Sequence, residues 1–237
     1  MSSAKKFVLL GATGSIGEST LQVLRKHPEK LELIGVSAHK QAEKLHSIIE
    51  EFKVPNAHLA CQSDQTVSFP KETILGQSTD QLDELAAHPE ADLVVVAIVG
   101  SAGLRPTLAA LKAGKDVVLA NKESLVVGGK LVTDTARESG ARIIPADSEH
   151  NAIHQCLLGQ EERELDSIIL TASGGAFRDL PLEKLKDVTL KQALKHPNWS
   201  MGPKVTIDSA TMANKGLELI EAYWLFGLPS NKMEVVI

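Results

Sequence analysis

The sequence contains little cysteine, no long apolar run and no excess of basic residues, and each lack excludes a class of protein. Two cysteines among 237 residues are too few for a disulfide framework or a zinc knuckle. The longest apolar run, Leu93 to Val99, is too short to cross a bilayer, and the short apolar stretch near the N-terminus does not fit a signal peptide. The 25 basic and 30 acidic residues argue against nucleic acid or an anionic membrane as the main partner. We expect a globular protein of the cytoplasm.

The first half of the chain alternates short apolar segments with segments of helical period. The predicted strands are Lys6–Leu10, Leu31–Val36, Leu93–Val99, Val117–Ala120 and Arg142–Ile144. The predicted helices are Ser19–Lys26, Ala42–Phe52, Gln81–Ala87, Leu104–Lys112 and Lys130–Ser139. Continuously apolar strands that alternate with helices predict an α/β fold, a Rossmann-like doubly wound parallel sheet over residues 1–145.

Residues 146–237 have a different pattern, which predicts a second, α+β domain with a catalytic role. Its predicted strands are Leu165–Thr171, Val205–Ile207 and Glu234–Ile237, with loops rich in Gly, Ser, Pro and Asn between them. The chain stops inside the last predicted strand, where a natural domain seldom ends, so we expect this domain to be truncated at its C-terminus.

A glycine-rich segment, GATGSIG at residues 11–17, stands between the first predicted strand and the first helix. Glycines in this context allow a tight turn and let backbone N–H groups approach a pyrophosphate at a helix N-terminus. The alternative is an ordinary glycine-rich turn. The position within a β-α-β unit favours dinucleotide binding.

The residues after the second predicted strand favour NADP over NAD. NAD enzymes usually carry an acidic residue there, which binds the ribose hydroxyls. This chain instead offers Ser37, His39 and Lys40, which provide hydrogen-bond donors and a positive charge for a 2′-phosphate. A solvated helix start is the alternative.

Acidic and basic residues in three segments suggest a substrate and metal site. Lys122 follows a strand and either binds a substrate oxyanion or forms a salt-bridged helix cap. Asp147 and Glu149 suit Mg²⁺ or Mn²⁺, or else belong to a helix start that Asp147 or Ser148 caps.

A third candidate ligand lies in a later helical segment. At helical spacing Asn214, Lys215 and Glu218 share one face, and we expect Leu217, Ile220 and Trp224 to form the opposite, core-facing stripe.

Two loops complete the candidate site. The segment TASGG, residues 171–175, can present N–H groups to a phosphate or form a plain turn. The loop from His196 to Pro203 is typical of a lid that closes over a ligand, or else buries Trp199 and Met201 as a satellite core.

Taken together, the motifs resemble one family, 1-deoxy-D-xylulose 5-phosphate reductoisomerase. The resemblance covers nearly the whole chain and rests on GATGSIG, LANKESLV, PADSEHNAI, TASGGAFRD and HPNWSMGPKVTIDSATMANKGLELIEA. It implies an NADPH- and metal-dependent enzyme of non-mevalonate isoprenoid synthesis. Such an enzyme rearranges the carbon skeleton of the phosphorylated sugar and reduces the aldehyde to 2-C-methyl-D-erythritol 4-phosphate. Family members continue into a C-terminal helical domain. A homodimer is the expected assembly.

The resemblance also implies residue roles. Asp147, Glu149 and Glu218 would bind Mg²⁺ or Mn²⁺ and, with Lys122, form the catalytic group. The substrate phosphate would contact Ser173, Ser209, Asn214 and Lys215, with His196 closing over it. Lys122 and Ser148 would contact the reacting end of the substrate, and Trp199 would cover it. The cofactor would contact Thr13, Gly14, Ser15 and Ile16 at its pyrophosphate, and Asn121, Glu123 and Gly202 near its nicotinamide half. At the adenosine phosphate the family pattern is Gly-Lys-Asn, where this chain has His39, Lys40 and Gln41.

Two other functions remain open from the sequence. A semialdehyde dehydrogenase shares such an N-terminal domain but needs a nucleophilic cysteine at a helix N-terminus, and Cys156 lies inside a predicted helix. A non-catalytic NADP sensor would not need the three carboxylates, so metal dependence separates it from the enzyme.

Overall fold

The computed structural model describes residues 4–61, 67–160, 165–198 and 201–237. The chain divides into two compact units, Met1–Asp147 and Ser148–Ile237. This division lies near the boundary predicted at residue 145, and the separate roles assigned to the two domains stay predictions.

The first unit contains a seven-stranded, fully parallel sheet, so the predicted α/β class is confirmed. The strand order is β4-β3-β2-β1-β5-β6-β7. The strands are β1 Lys5–Leu10, β2 Leu31–Ala38, β3 Asn56–Leu59, β4 Ile74–Gly76, β5 Leu93–Val96, β6 Asp116–Leu119 and β7 Ile143–Pro145. The helices are α1 Ser15–Lys26, α2 Ala42–Phe52, α3 Thr79–Ala86, α4 Leu104–Lys112 and α5 Lys122–Ser139, with a 3-10 turn at Ser101–Gly103. The order reverses between β1 and β5, which places a ligand crevice at their carboxyl ends.

The central strands are buried on both faces, which explains their continuously apolar sequences. Val8, Leu9 and Leu10 of β1 are fully buried. Helix α1 contributes Leu21 and Leu24 to the same core. Removal of these side chains from water is the main favourable term in folding, at about 25 cal/mol per Å² of apolar surface. Among the described residues, no helix is long and apolar enough to cross a membrane.

Several predicted boundaries in the first unit are wrong, mostly because glycine or polar residues interrupt a pattern. Helix α5 begins at Lys122 rather than at the predicted Lys130. The pair Gly128 and Gly129 interrupts the helical pattern of the sequence, so the turns before it were not predicted. Gly128 has non-helical backbone angles, with φ −129° and ψ 24°, and marks a kink. Strands β3 and β4 were not predicted from the sequence. They are short and contain Asn, His and Gly, which weakens the apolar pattern of a buried strand.

The second unit has an α+β arrangement. Its helices are α6 Ser148–Leu157, α7 Leu190–Ala193, α8 Pro203–Ala210 and α9 Ala213–Phe226, with 3-10 turns at Leu182–Asp187 and Ser230–Lys232. Strands β8 Ile168–Thr171 and β9 Met233–Val236 pair in parallel, and their buried side packs with α9 around Leu170 and Ala222. The predicted strand Val205–Ile207 is wrong, because these residues lie in α8. Pro203 occupies the first turn of that helix, where its missing N–H is tolerated.

Candidate functional site

The glycine loop between β1 and α1 is built by close backbone packing. Gly11 has a φ of +86°, and a Cβ there would lie 2.6 Å from the carbonyl oxygen of Ala97. The N–H of Gly11 donates to the hydroxyl oxygen of Ser37 at 3.0 Å, so this serine at the end of β2 holds the loop. The N-cap of α1 is Gly14, which has no side chain to accept hydrogen bonds from the first helical N–H groups. These groups are therefore available to an anion.

A cavity of about 360 Å³ lies beside this loop, within the range of small-molecule pockets. Its lining includes Thr13 and Gly14 from the loop, His39 after β2 and His58 from β3. Four more residues were assigned to the pyrophosphate or to the adenosine phosphate of the cofactor. They are exposed and adjoin these lining residues in the sequence: Ser15, Ile16, Lys40 and Gln41. The cavity thus lies at the carboxyl edge of the sheet, where the glycine loop predicted a dinucleotide.

His58 was not singled out from the sequence, yet it is a buried polar residue of this cavity. Its Nε2 lies 2.8 Å from the carbonyl oxygen of Ser78, so Nε2 carries a proton and donates it. Burial lowers the pKa of His58 below its usual value, and the hydrogen bond to Ser78 opposes this only in part. The imidazole is therefore neutral near pH 7.

Asn121 connects the loop after β5 to the start of α5. Its Nδ2 donates to the carbonyl oxygens of Ile98 at 2.7 Å and Gly100 at 2.8 Å, and also to Glu123. Its Oδ1 accepts the N–H of Ser124 at 2.9 Å and so caps the helix. The structure gives Asn121 this positioning role, while its contact and that of Glu123 with the nicotinamide half stay predictions.

Lys122 and Asp147 form an ion pair within the first unit. The Lys122 Nζ lies 2.5 Å from the Asp147 Oδ2, and the two side chains are 9% and 18% exposed. The salt bridge considered for Lys122 from the sequence is therefore present. The pair brings together two of the four residues assigned to catalysis.

In the second unit, two carboxylates converge on one buried ammonium. Lys215 Nζ donates to Glu149 Oε1 at 3.0 Å, to the carbonyl oxygen of Thr171 at 2.6 Å and to Glu218 Oε2. Lys215 is 6% exposed and Glu218 is 1% exposed. The three donors of the ammonium are thus engaged, and the group of two carboxylates and one lysine carries a net charge of −1.

The environment of Glu149 favours its ionised form. Burial raises the pKa of the Glu149 carboxyl, but hydrogen bonds from Ser148 and Lys215 outweigh burial and hold the pKa below its usual value. The Ser148 hydroxyl donates to Glu149 Oε2 at 2.6 Å. Ser148 therefore orients a carboxylate assigned to the metal.

The polar face of α9 is directed into the second unit, which corrects the sequence analysis. Asn214, Lys215 and Glu218 do share a face, and the Asn214 Nδ2 donates to Glu218 Oε1. The predicted core-facing stripe is wrong, since Ile220 is 42% exposed whereas Glu221 is fully buried. A Cβ on Gly216 would meet nothing within 4 Å, so close packing does not explain this helical glycine.

A buried histidine stands behind Glu218 and was missed from the sequence. His150 is fully buried, and its Nε2 donates to the backbone oxygen of Glu218 at 2.8 Å. Its Nδ1 lies 3.5 Å from Glu221 Oε2, and its ring stacks on Phe226 with 6.3 Å between centroids. The available signal was Glu221, three residues after Glu218 and therefore on the same helical face.

The loop after β8 brings together three residues assigned to the substrate phosphate. The backbone N–H of Asn198 donates to His196 Nδ1 at 3.2 Å, so the proton on Nε2 is donated to the Ser173 hydroxyl at 3.0 Å. Gly175 has a φ of +71°, and a Cβ there would lie 1.9 Å from the carbonyl oxygen of Ser209. The glycine therefore lets the loop contact α8 at Ser209.

Two further residues with predicted contacts precede α8 in the sequence. Trp199 falls outside the described residues, so its predicted position over the substrate stays a prediction. Gly202 is the exposed N-cap residue of α8, and its predicted contact with the cofactor also stays a prediction.

Sequence comparisons match both units to one family. The profile of 1-deoxy-D-xylulose 5-phosphate reductoisomerase matches residues 7–129, and the profile of the C-terminal domain of that enzyme matches residues 143–226. The reductoisomerase of Ralstonia pickettii (strain 12J) is 52% identical over an alignment of 241 positions, gaps included. The alignment covers 98% of this chain and 61% of that protein. That of Geobacillus sp. (strain WCH70) is 49% identical, with coverages of 98% and 62%.

Solved structures agree with these matches. A crystal structure of DOX-P reductoisomerase in complex with NADPH, fosmidomycin and magnesium has a TM-score of 0.88 and 41% identity, covering 98% of this chain and 60% of that one. The Zymomonas mobilis 1-deoxy-D-xylulose 5-phosphate reductoisomerase in complex with NADPH has a TM-score of 0.86 and 39% identity, with coverages of 98% and 61%. The present chain thus spans about three fifths of the length of these relatives.

Proposed function

The chain belongs to the 1-deoxy-D-xylulose 5-phosphate reductoisomerase family, and we propose that it carries the cofactor, metal and substrate sites of such an enzyme. The proposed reaction converts 1-deoxy-D-xylulose 5-phosphate to 2-C-methyl-D-erythritol 4-phosphate with NADPH as the reductant. The observation that carries the proposal is the convergence of Glu149 and Glu218 on Lys215.

Buried carboxylates need a functional reason or a full set of partners, because desolvation of a charge is costly. Glu149 and Glu218 come from two distant segments and share the Lys215 ammonium, so this group of three side chains carries a net charge of −1. A divalent cation with oxygen ligands, Mg²⁺ or Mn²⁺, fits this donor set. Asp147 precedes Glu149 by two residues, about 7 Å of chain at most, and is the proposed third ligand.

The cofactor part of the proposal rests on the cavity of the first unit. The N-terminus of α1 and the glycine loop would hold the pyrophosphate. The segment from Ser37 to Gln41 contains no carboxylate, and exposed Lys40 offers a positive charge to a 2′-phosphate, which supports NADPH over NADH.

The proposed chemistry depends on charge control at the reacting end of the substrate. The cation, when bound, would act as a Lewis acid toward substrate oxygens and stabilise their developing negative charge. Lys215 and Ser148 fix the Glu149 carboxylate, and His150 fixes the backbone at Glu218, so this donor set is preorganised. Ser173 and His196, already in contact, would bind the substrate phosphate.

Metal dependence tests this proposal. NADPH oxidation with 1-deoxy-D-xylulose 5-phosphate is measured with Mg²⁺, with excess EDTA and after addition of Mn²⁺. We expect activity with Mg²⁺, loss with EDTA and recovery with Mn²⁺. Undiminished turnover in EDTA would refute the metal assignment.

Replacement of Cys156 tests the alternative function, that of a semialdehyde dehydrogenase. Cys156 lies near the end of α6 rather than at its N-terminus, where a helix stabilises a thiolate. A Cys156→Ser variant should therefore keep its activity. A semialdehyde dehydrogenase that used this thiol would lose it.

The proposal also includes a homodimer and a cytoplasmic location. Sedimentation equilibrium of the protein expressed from its complete coding sequence tests the assembly. We expect twice the mass of one chain.

A further inference from the structure

The side chain of Lys44, from α2, reaches the glycine loop. Its Nζ donates to the backbone oxygen of Thr13 at 3.1 Å. The same peptide group, which joins Thr13 to Gly14, donates its N–H to the carbonyl oxygen of Gly11 at 3.2 Å. This peptide is therefore fixed on both sides, once by the loop itself and once by a lysine from the neighbouring helix.

The orientation of this peptide matters because it directly precedes the anion-binding end of α1. The first helical hydrogen bond of α1 runs from the Glu18 N–H to the Gly14 oxygen at 2.9 Å. The N–H groups of Ser15, Ile16 and Gly17 lie ahead of it and have no partner within the helix. Thr13 and Gly14 also line the cavity, so a rotation of their shared peptide would change both the wall of the cavity and the start of the helix.

Lys44 also places a positive charge near the loop. Glu18 lies in the first turn of α1, and its Oε2 is 3.7 Å from Lys44 Nζ. Its other oxygen accepts from Arg25 at 2.9 Å. A carboxylate so close to a phosphate site would repel the ligand, and the Lys44 ammonium offsets that charge.

We propose that Lys44 is a positioning residue for the pyrophosphate of the bound dinucleotide, an inference that rests on the proposed function. Lys44 acts through the Thr13–Gly14 peptide and by its charge. Since NADPH and NADH share the pyrophosphate, the role of Lys44 should be equal for both. Lys40, proposed to bind the 2′-phosphate, should affect NADPH alone.

The experiment compares dissociation constants of NADPH and NADH, measured by calorimetry, for the unaltered protein and four variants. Lys44→Met should raise both constants by the same factor, about threefold to tenfold, as for loss of one partly exposed charged hydrogen bond. Lys44→Arg should restore most of the affinity. Lys40→Met should raise only the constant for NADPH. Lys26→Met removes an exposed lysine in the last turn of α1 and should change neither constant.

The outcomes separate this inference from the proposed function. Unchanged constants in Lys44→Met would overturn the inference, and so would a rise for NADPH alone, which would place Lys44 at the 2′-phosphate. Lys44 is 40% exposed, so we expect the variant to fold, and its circular dichroism should match that of Lys26→Met. If the unaltered protein binds neither dinucleotide, the proposed function itself fails.

Discussion

Replacement of Gly17 by alanine tests whether close packing builds the glycine loop. Gly17 lies within α1, where helix propensity alone would favour alanine by about 1 kcal/mol. A Cβ at this position would, however, lie 2.4 Å from the carbonyl oxygen of Ala12 and 2.6 Å from that of Gly11. Both contacts are with backbone atoms, so the loop or the helix must move by about 1 Å to reach van der Waals distance.

The clash should outweigh the propensity. Overpacking of this kind costs about 1–3 kcal/mol, so we expect a net loss of roughly 1–2 kcal/mol of unfolding free energy. The displaced loop should also turn its N–H groups away from the proposed pyrophosphate site. Loss of about 1.4 kcal/mol of binding energy corresponds to a tenfold weaker dissociation constant for NADPH.

Urea unfolding followed by circular dichroism and a fluorescence titration with NADPH measure the two effects. Gly216→Ala is the matched control, because a Cβ there meets nothing within 4 Å. That variant should gain up to about 1 kcal/mol from helix propensity and bind NADPH normally. The reasoning is refuted if Gly17→Ala is as stable as the unaltered protein and binds NADPH equally well.

Three further predictions each concern the replacement of one ionisable side chain. Lys40→Glu should reduce the preference for NADPH over NADH about tenfold, because reversal of an exposed charge changes its interaction with a 2′-phosphate by roughly 1–2 kcal/mol; paired calorimetric titrations measure this. Glu218→Gln should weaken Mn²⁺ binding at least about tenfold, as seen by electron paramagnetic resonance, and leave NADPH binding intact. Burial lowers the pKa of His58, so the unfolded chain binds more protons below about pH 6.5 and stability falls as pH falls toward the folded pKa. In His58→Gln, the free energy of unfolding, measured by urea denaturation, should depend less steeply on pH. The slope should be smaller by up to about 1.4 kcal/mol per pH unit.

Each of these predictions has a result that would contradict it, and the metal prediction also has a matched control. An unchanged NADPH preference in Lys40→Glu would remove Lys40 from the 2′-phosphate site. Glu234→Gln, at an exposed glutamate of β9, should leave Mn²⁺ binding unaltered, and a loss equal to that of Glu218→Gln would make the metal effect nonspecific. If His58→Gln keeps the original pH dependence, the buried imidazole is not the titrating group.

The first unit was largely predictable because its sequence patterns are local. Runs such as Leu93–Val96 are apolar throughout because both faces of the parallel sheet are covered. Gly11 and Gly17 marked the loop because their missing side chains permit specific backbone contacts. The helix start at Lys122 was not predictable by the same means, since Gly128 breaks the periodicity without ending the helix.

The second unit was less predictable because its buried face is polar. Hydrophobic periodicity assigns apolar residues to the core, yet α9 buries Lys215, Glu218 and Glu221 and exposes Ile220. Burial of these charges depends on partners from other segments, among them Glu149 and His150. Such pairings are tertiary, so no local pattern contains them. The contact of Lys44 with Thr13 was missed for the same reason.

Product identification tests the central claim most directly. The protein expressed from its complete coding sequence is incubated with 1-deoxy-D-xylulose 5-phosphate, NADPH and Mg²⁺, and the products are analysed by nuclear magnetic resonance and absorbance. The account predicts one 2-C-methyl-D-erythritol 4-phosphate formed for each NADPH oxidised, and a much smaller yield from Glu218→Gln at the same metal concentration. Absence of this product from the unaltered protein, or its undiminished formation by Glu218→Gln, would contradict the account.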